Sequence, residues 1–434
     1  MGNYLKILFI FFLICFAVFP SFAQEPVTAP MIDPNGAIDI DALKDARDTA
    51  WEEWYTSMTP IFEETIIEGE EFNVIQYGNV QMRFTVEIFG ERPEEGYPMY
   101  IAMHGGGSDD TPDFNDSQWE AMQNYYTDHL ECGVYIAVRG IRDTWDTHFN
   151  PESYPIYDRL IEYMIMTNLV DPNRVYLEGF SAGGDGVYAI GARMADRFAA
   201  ANMSSGHPND ISMYNFCNLP IQLQAGEYDT DFDRNTVTAA YGLLLDQLET
   251  ENPDGFVHRT LIHADRGHNY EDYNREPVEV MADVRSWLED GNRETILVDS
   301  YPHDWMDQFV RNPIPDTLYW DLETRAELRD TDSFYYLSAD RDASGKLFIS
   351  RMENEIMIVK EDFEGDFTIC FNEDMIDFTE PVHFMIEDLG EIDVLLIPEE
   401  AWLSVTTEDR GDPNFQFEAA VTYSWLEEQI RNNN

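Results

Sequence analysis

Between residues 97 and 288 the chain repeats one pattern, a short run of apolar residues followed by a stretch whose apolar positions have helical spacing. The runs 97–103, 134–138, 175–178, 200–203, 221–224 and 257–262 read as strands, and 117–130, 157–169, 182–197, 236–248 and 278–288 as helices. Strands that are apolar throughout have both faces covered, and a helix between two strands joins parallel neighbours. The expected fold class is therefore α/β, a doubly wound, mostly parallel sheet with helices on both faces. Polar loops in such a sheet gather at the carboxyl ends of its strands. Ahead of this unit, 72–77 and 81–89 alternate as strands about Gly78-Asn79 and read as a hairpin, so the unit is placed at residues 70–298.

Beyond residue 299 helical spacing stops. The segments 333–337, 346–350, 355–359, 367–371, 382–386, 393–397 and 415–423 are strand-like, with turns such as Ala343-Ser344-Gly345 between them. This predicts an antiparallel, all-β, sandwich-like domain over 299–434. Asp340-x-Asp342-x-Ser344-Gly345 has the first half of a calcium loop, but position twelve is Arg351 where a bidentate Glu is needed, and it reads as a turn. At the other end, residues 24–69 form an N-terminal arm and helix, with helical spacing over 38–58. Residues 1–23 carry Lys6, an apolar run over 7–19 and Ser21-Phe22-Ala23, the pattern of a signal peptide cleaved near Ala23. The run is too short for a bilayer span, so the expectation is a secreted or periplasmic protein with no stable membrane anchor.

The charge is extreme: 84 acidic residues against 26 basic give −58, and lysine occurs only at Lys6, Lys44, Lys346 and Lys360. Nucleic acid and anionic membranes are excluded as partners by repulsion. A carboxylate surface of this density repels itself until salt screens it, which predicts salt-adapted folding. The melting temperature should rise between about 0.05 M and about 2 M NaCl; a flat response would contradict salt adaptation.

Chemistry concentrates at one point. Gly179-Phe180-Ser181-Ala182-Gly183-Gly184 follows a strand and opens a helix. Small residues around Ser181 allow a sharp turn that lifts its hydroxyl above the sheet. A serine hydroxyl is a weak nucleophile and needs a base, itself oriented by a carboxylate, in the chain order Ser, acid, His. Asp229, in Gly226-Glu227-Tyr228-Asp229 after a strand, and His268, in Gly267-His268, fit those places better than Asp231, Asp233 or His263. Attack by Ser181 creates an oxyanion that needs fixed donors. His104-Gly105-Gly106-Gly107 offers the backbone N–H of Gly105 or Gly106, and Ala182 the second donor. Trp145, His148 and His207 lie in strand-end loops on the same side and are candidate pocket residues, with a packing role open for each. No cofactor or metal is called for.

On His104–Gly107, residues 171–185, Gly226–Asp229 and Gly267-His268, the chain over about 70–295 resembles secreted α/β-hydrolases of the kind that includes polyhydroxyalkanoate depolymerases and feruloyl or acetyl-xylan esterases. The resemblance implies a serine ester hydrolase working through an acyl-enzyme, and an open cleft suits a polymeric or carbohydrate-linked ester. It also implies an eight-stranded sheet in which Cys132 and Cys217 precede strands about 19 Å apart, beyond disulfide reach, so that Cys132, Cys217 and Cys370 are all free thiols. Only residues 204–219 separate the sixth and seventh strands, which leaves no room for the lid common in the superfamily and predicts an open site. A prolyl-oligopeptidase-like peptidase shares the serine motif but carries a large propeller ahead of it, for which about 75 residues are too few. A non-catalytic binding protein on the same scaffold is the third reading.

Overall fold

The computed structural model describes residues 40–107, 112–270, 302–324, 333–398 and 411–433. The signal-peptide and arm readings and the expected helix at 278–288 lie outside these residues. Among the described residues no helix is long and apolar enough to cross a membrane.

The strands of the first sheet are β1 (Ile66–Ile67), β2 (Asn73–Tyr77), β3 (Val80–Phe89), β4 (Tyr97–Met103), β5 (Gly133–Val138), β6 (Val170–Phe180), β7 (Ala200–Ser204), β8 (Ile221–Gly226) and β9 (His258–His263). They lie in the order β1-β2-β3-β5-β4-β6-β7-β8-β9. The pairs β1–β2, β2–β3 and β3–β5 are antiparallel, and every later pair is parallel. This is the α/β-hydrolase fold, a doubly wound sheet with the expected hairpin at its start. It has one strand more than the eight expected, because Ile66 and Ile67 leave the first helix extended and pair with Ile75 and Val74. Every residue of β4, β5 and β8 is buried, which is why these strands read as continuous apolar runs.

The helices are α1 (Ile40–Thr65), α2 (Pro112–Met122), α3 (Ser153–Met166), α4 (Ala182–Arg193) and α5 (Arg234–Glu251). The expected helix 117–130 begins earlier and ends earlier, since Pro112 suits a first helical position and the chain after Met122 turns into a 3-10 segment at Thr127–His129. Strand β6 starts at Val170, five residues ahead of expectation, because Asp171-Pro172-Asn173-Arg174 hides an extended segment behind polar residues and a proline. Cys132 precedes β5 and Cys217 precedes β8, four positions apart in the sheet, and Cys132, Cys217 and Cys370 are free thiols.

Past residue 302 a turn of helix, α6 (His303–Met306), lies against the first sheet, with His303 Nε2 3.1 Å from the buried carboxylate of Glu178. Two further sheets follow. One runs β10 (Thr317–Asp321), β13 (Ser344–Met352), β14 (Glu355–Glu364), β16 (Val382–Ile386), β17 (Gly390–Val394) in that order. The other runs β11 (Ser333–Phe334), β12 (Leu337–Ala339), β15 (Phe367–Phe371), β18 (Ala419–Thr422). The expectation of a wholly antiparallel domain fails at β14–β16, which is parallel. It fails again at the C-terminus, where the expected strand 415–423 shortens to β18 and a helix, α7 (Tyr423–Asn433), follows. Buried Tyr423, Leu426 and Ile430 recur there at helical spacing. Residues 340–343 form a turn, with the N–H of Ala343 donating to the carbonyl of Asp340, but Ser344 and Gly345, expected to belong to the turn, already start β13.

One buried pair makes a pH prediction. Glu418 has no exposed surface and lies beside Glu373, with Arg47 of α1 reaching both. Burial, then the neighbouring Glu373, pushes its carboxyl up from 4.5 to about 9. The folded state therefore holds a proton that the unfolded chain releases. That stability is complete below pH 4.5 and is lost as pH rises towards 9. Glu418→Gln, which keeps the neutral shape, should melt close to the wild type at pH 5 and above it at pH 9. Parallel melting curves for the two proteins would show that Glu418 is ionised in the fold.

Candidate active site

Strand β6 ends at Phe180 and α4 begins at Ala182, so Ser181 alone makes the turn, at φ 58° and ψ −119°. That left-handed backbone is unfavourable for a residue with a Cβ and persists because its surroundings fix it. The N–H of Ser181 donates to the carbonyl of Ser204 at 2.9 Å, and its own carbonyl accepts from the N–H of Asp185 at 3.0 Å. Glycine is required on both sides. A Cβ on Gly179 would lie 2.2 Å from the carbonyl oxygen of Gly183, and one on Gly183 2.1 Å from that of Met103. The sharp turn and the close approach of α4 to β4 thus follow from the Gly-x-Ser-x-Gly spacing.

The loops after β8 and β9 bring Asp229 and His268 to this serine. His268 Nε2 is 3.0 Å from Ser181 Oγ, and His268 Nδ1 is 2.9 Å from Asp229 Oδ2. A carboxylate oxygen can only accept, so Nδ1 carries the proton and Nε2 presents its lone pair to the hydroxyl. Asp229 is buried; its N–H donates to the carbonyl of Gly226, and its own carbonyl accepts from the N–H of Asn235. The hydroxyl of Ser205 donates to the carbonyl of His268 at 3.0 Å, and the Phe180 ring lies 5.2 Å from the imidazole. The rivals are elsewhere. Asp231 and Asp233 are exposed, and His263 is buried with Nε2 on the side chain of Gln224.

The glycine loop runs past the same point. A Cβ on Gly105 would lie 3.2 Å from that of Ser181. The N–H of Gly107 is taken by the side-chain oxygen of Asn115 at 2.8 Å, which leaves Gly105 and Gly106 as candidate donors. Ala182 is the first residue of α4, where backbone N–H groups have no partner within the helix. Burial pushes His104, at the start of the loop, down to about 4, and Asp185, in the first turn of α4, up to about 6. The carboxylate of Asp185 accepts from the backbone N–H of His207 at 2.7 Å.

The pocket candidates divide. Trp145 is 58% exposed and stands beside Gly107. His207 is half-buried, its Nδ1 accepting from the N–H of Asn209. His148 corrects the expectation: it has no exposed surface and both ring nitrogens are bound inside the protein, so it cannot line a pocket. Sequence reasoning missed Arg234, whose guanidinium is 3.8 Å from Asp229 Oδ1, and Tyr125, whose ring lies 5.2 Å from Phe180. An arginine five residues after the chosen acid, in a chain short of cations, was the available signal for Arg234. Away from the site, at the opposite end of β9, Asp246, Glu249 and His258 hold potential metal-ligand atoms within 4.8 Å of one another.

No family model matches the chain, and no curated protein does. Solved structures similar to it include a thermostable esterase, at 15% identity and TM-score 0.38, the match covering 56% of this chain and 64%, just under two thirds, of that one. An alpha-beta serine hydrolase homologue from Coxiella burnetii matches at 11% identity over 52% of this chain and 98% of that one, TM-score 0.35. Dienelactone hydrolase from Anabaena variabilis matches at 16% identity over 57% and 100%, TM-score 0.33. At scores this low the fold rests on strand order and direction, not on these likenesses.

Proposed function

We propose that the protein is a serine ester hydrolase that works through an acyl-enzyme. The observation that carries this reading is the unbroken relay from Ser181 Oγ through His268 to the buried Asp229. In the proposed mechanism Ser181 attacks the ester carbonyl while His268 Nε2 takes its proton. The new imidazolium is stabilised by Asp229, whose charge faces Nδ1. The tetrahedral oxyanion is held by the N–H of Ala182 and those of Gly105 and Gly106. Collapse expels the alcohol, protonated by His268. Water then enters the same cycle, and the acid leaves with Ser181 restored.

The finer parts of the proposal rest on sequence. Residues 1–23 support export, with action outside the cytoplasm, and the short connection between β7 and β8 suits a polymeric or carbohydrate-linked ester. A fluorophosphonate probe applied in high salt should label the wild-type chain and leave Ser181→Ala unlabelled. Equal labelling of both would remove Ser181 from the reading. Cleavage of p-nitrophenyl esters with little cleavage of aminoacyl p-nitroanilides is the expected panel result; the reverse preference would favour a peptidase.

A further inference from the structure

Beneath the glycine loop two imidazoles meet edge to face, His104 and His148, with centroids 4.5 Å apart at 69° and no exposed surface on either. Their hydrogen bonds define both tautomers. The N–H of Gly140 donates to His104 Nε2 at 3.1 Å, so the proton of that ring is on Nδ1, which donates to the carbonyl of Gly105. His148 Nε2 is 3.0 Å from the carbonyl of His104, which can only accept, so Nε2 carries the proton. Its Nδ1 then accepts from the hydroxyl of Tyr157 at 3.1 Å. Burial lowers the proton affinity of both rings, as neutral tautomers require.

Two consecutive carbonyls, those of His104 and Gly105, are thus drawn to the imidazole side. In a trans peptide the N–H points opposite to the C=O before it. The N–H groups of Gly105 and Gly106 are therefore turned away from the histidines. We infer that His104 and His148 are positioning residues that hold these two N–H groups aimed at the developing oxyanion, an inference that rests on the ester-hydrolase reading. His148 comes from a different loop, and its reach is wider. A Cβ on Gly186 of α4 would lie 3.0 Å from the Cβ of His148, so one side chain packs against the helix that carries Ser181 and bonds the loop that carries the donors. It sets the spacing between nucleophile and oxyanion site. Donors fixed in advance cost no reorganisation during the reaction.

Glutamine at 148 can set an amide N–H where imidazole Nε2–H now sits, while asparagine is too short and phenylalanine has no donor. His148→Gln, His148→Asn and His148→Phe are compared as full chains in high salt, with rates expressed per serine titrated by a fluorophosphonate. Asn and Phe should lower kcat for a p-nitrophenyl ester about 100-fold while KM changes less than about threefold. Inhibition by a boronic acid, which forms a tetrahedral adduct with serine, should weaken by a similar factor. Gln should recover most of the loss in both. Wild-type kcat per titrated serine in Asn and Phe, whatever their melting temperatures, would overturn the inference, as would a Gln variant as slow as Asn. If Phe does not fold, the comparison of Gln with Asn decides. A wild-type chain that neither titrates nor cleaves esters overturns the ester-hydrolase reading itself, a result distinct from normal wild-type activity with indifferent variants.

Discussion

Ser181→Ala lowers kcat/KM for a p-nitrophenyl ester by about 10⁵-fold, His268→Ala by a similar factor, and the double variant is no slower than either single one. The reason is the geometry of the relay. With Nδ1–H committed to Asp229 at 2.9 Å, the imidazole has only one basic nitrogen, and that nitrogen is 3.0 Å from the serine hydroxyl and from no competing partner in the relay. Remove the hydroxyl and the base has nothing to activate; remove the base and the hydroxyl stays protonated. Each loss therefore contains the other. Asp229→Asn is expected to cost about 10⁴-fold in kcat, because an amide N–H facing Nδ1 favours the tautomer whose Nε2–H points at Ser181. Steady-state kinetics at matched concentrations of folded protein checks all four proteins. Additive losses in the double variant would mean that Ser181 and His268 act in separate steps, and the relay would have to be abandoned.

How much of this was legible in the sequence depends on whether local pattern or distant packing decides each feature. Gly179, Ser181 and Gly183 were readable because the turn they make is a local pattern, although only the exclusion at Gly179 arises within a few residues and that at Gly183 comes from Met103 of β4. Asp229 and His268 were readable through chain order alone, since both follow strands whose carboxyl ends meet at one edge of the sheet. His148 was misread. A histidine in a strand-end loop has the same sequence signature whether it faces the cleft or the core, and only the positions of His104 and Tyr157 decide. Strand β6 was cut short because a proline and three polar residues mask an extended segment. The parallel β14–β16 pair could not be read either, as strand direction is set by a long connection and not by residues within the strands.

The second large effect lies far from Ser181. Asp412→Ala is expected to destabilise the fold by about 3–5 kcal/mol, the cost of stranding buried charge. Asp412 has no exposed surface; its Oδ2 is 2.6 Å from Arg311 Nη1 and 3.5 Å from Arg197 Nη1. Arg197 in turn bonds Asp158 of α3 at 2.9 Å. Arg311 also donates to the carbonyl of Asp196, so one carboxylate joins the end of α4's loop, the segment after α6 and the approach to β18. The two guanidiniums hold the carboxyl of Asp412 below its usual 3.8, although burial pushes the other way. A lowered value means that this stability is present above pH 3.8 and is lost as pH falls through the folded value. The variant should therefore lose part of the acid-unfolding step, as well as melting lower at pH 7. Salt separates this effect from that of the surface. Screening reaches exposed carboxylates but not a buried cluster, so the gap in melting temperature between wild type and Asp412→Ala should persist from about 0.05 M to about 2 M NaCl while both curves rise. A gap that closes at high salt would show that Asp412 stabilises the protein through solvent-exposed electrostatics and not as the buried joint between its two halves.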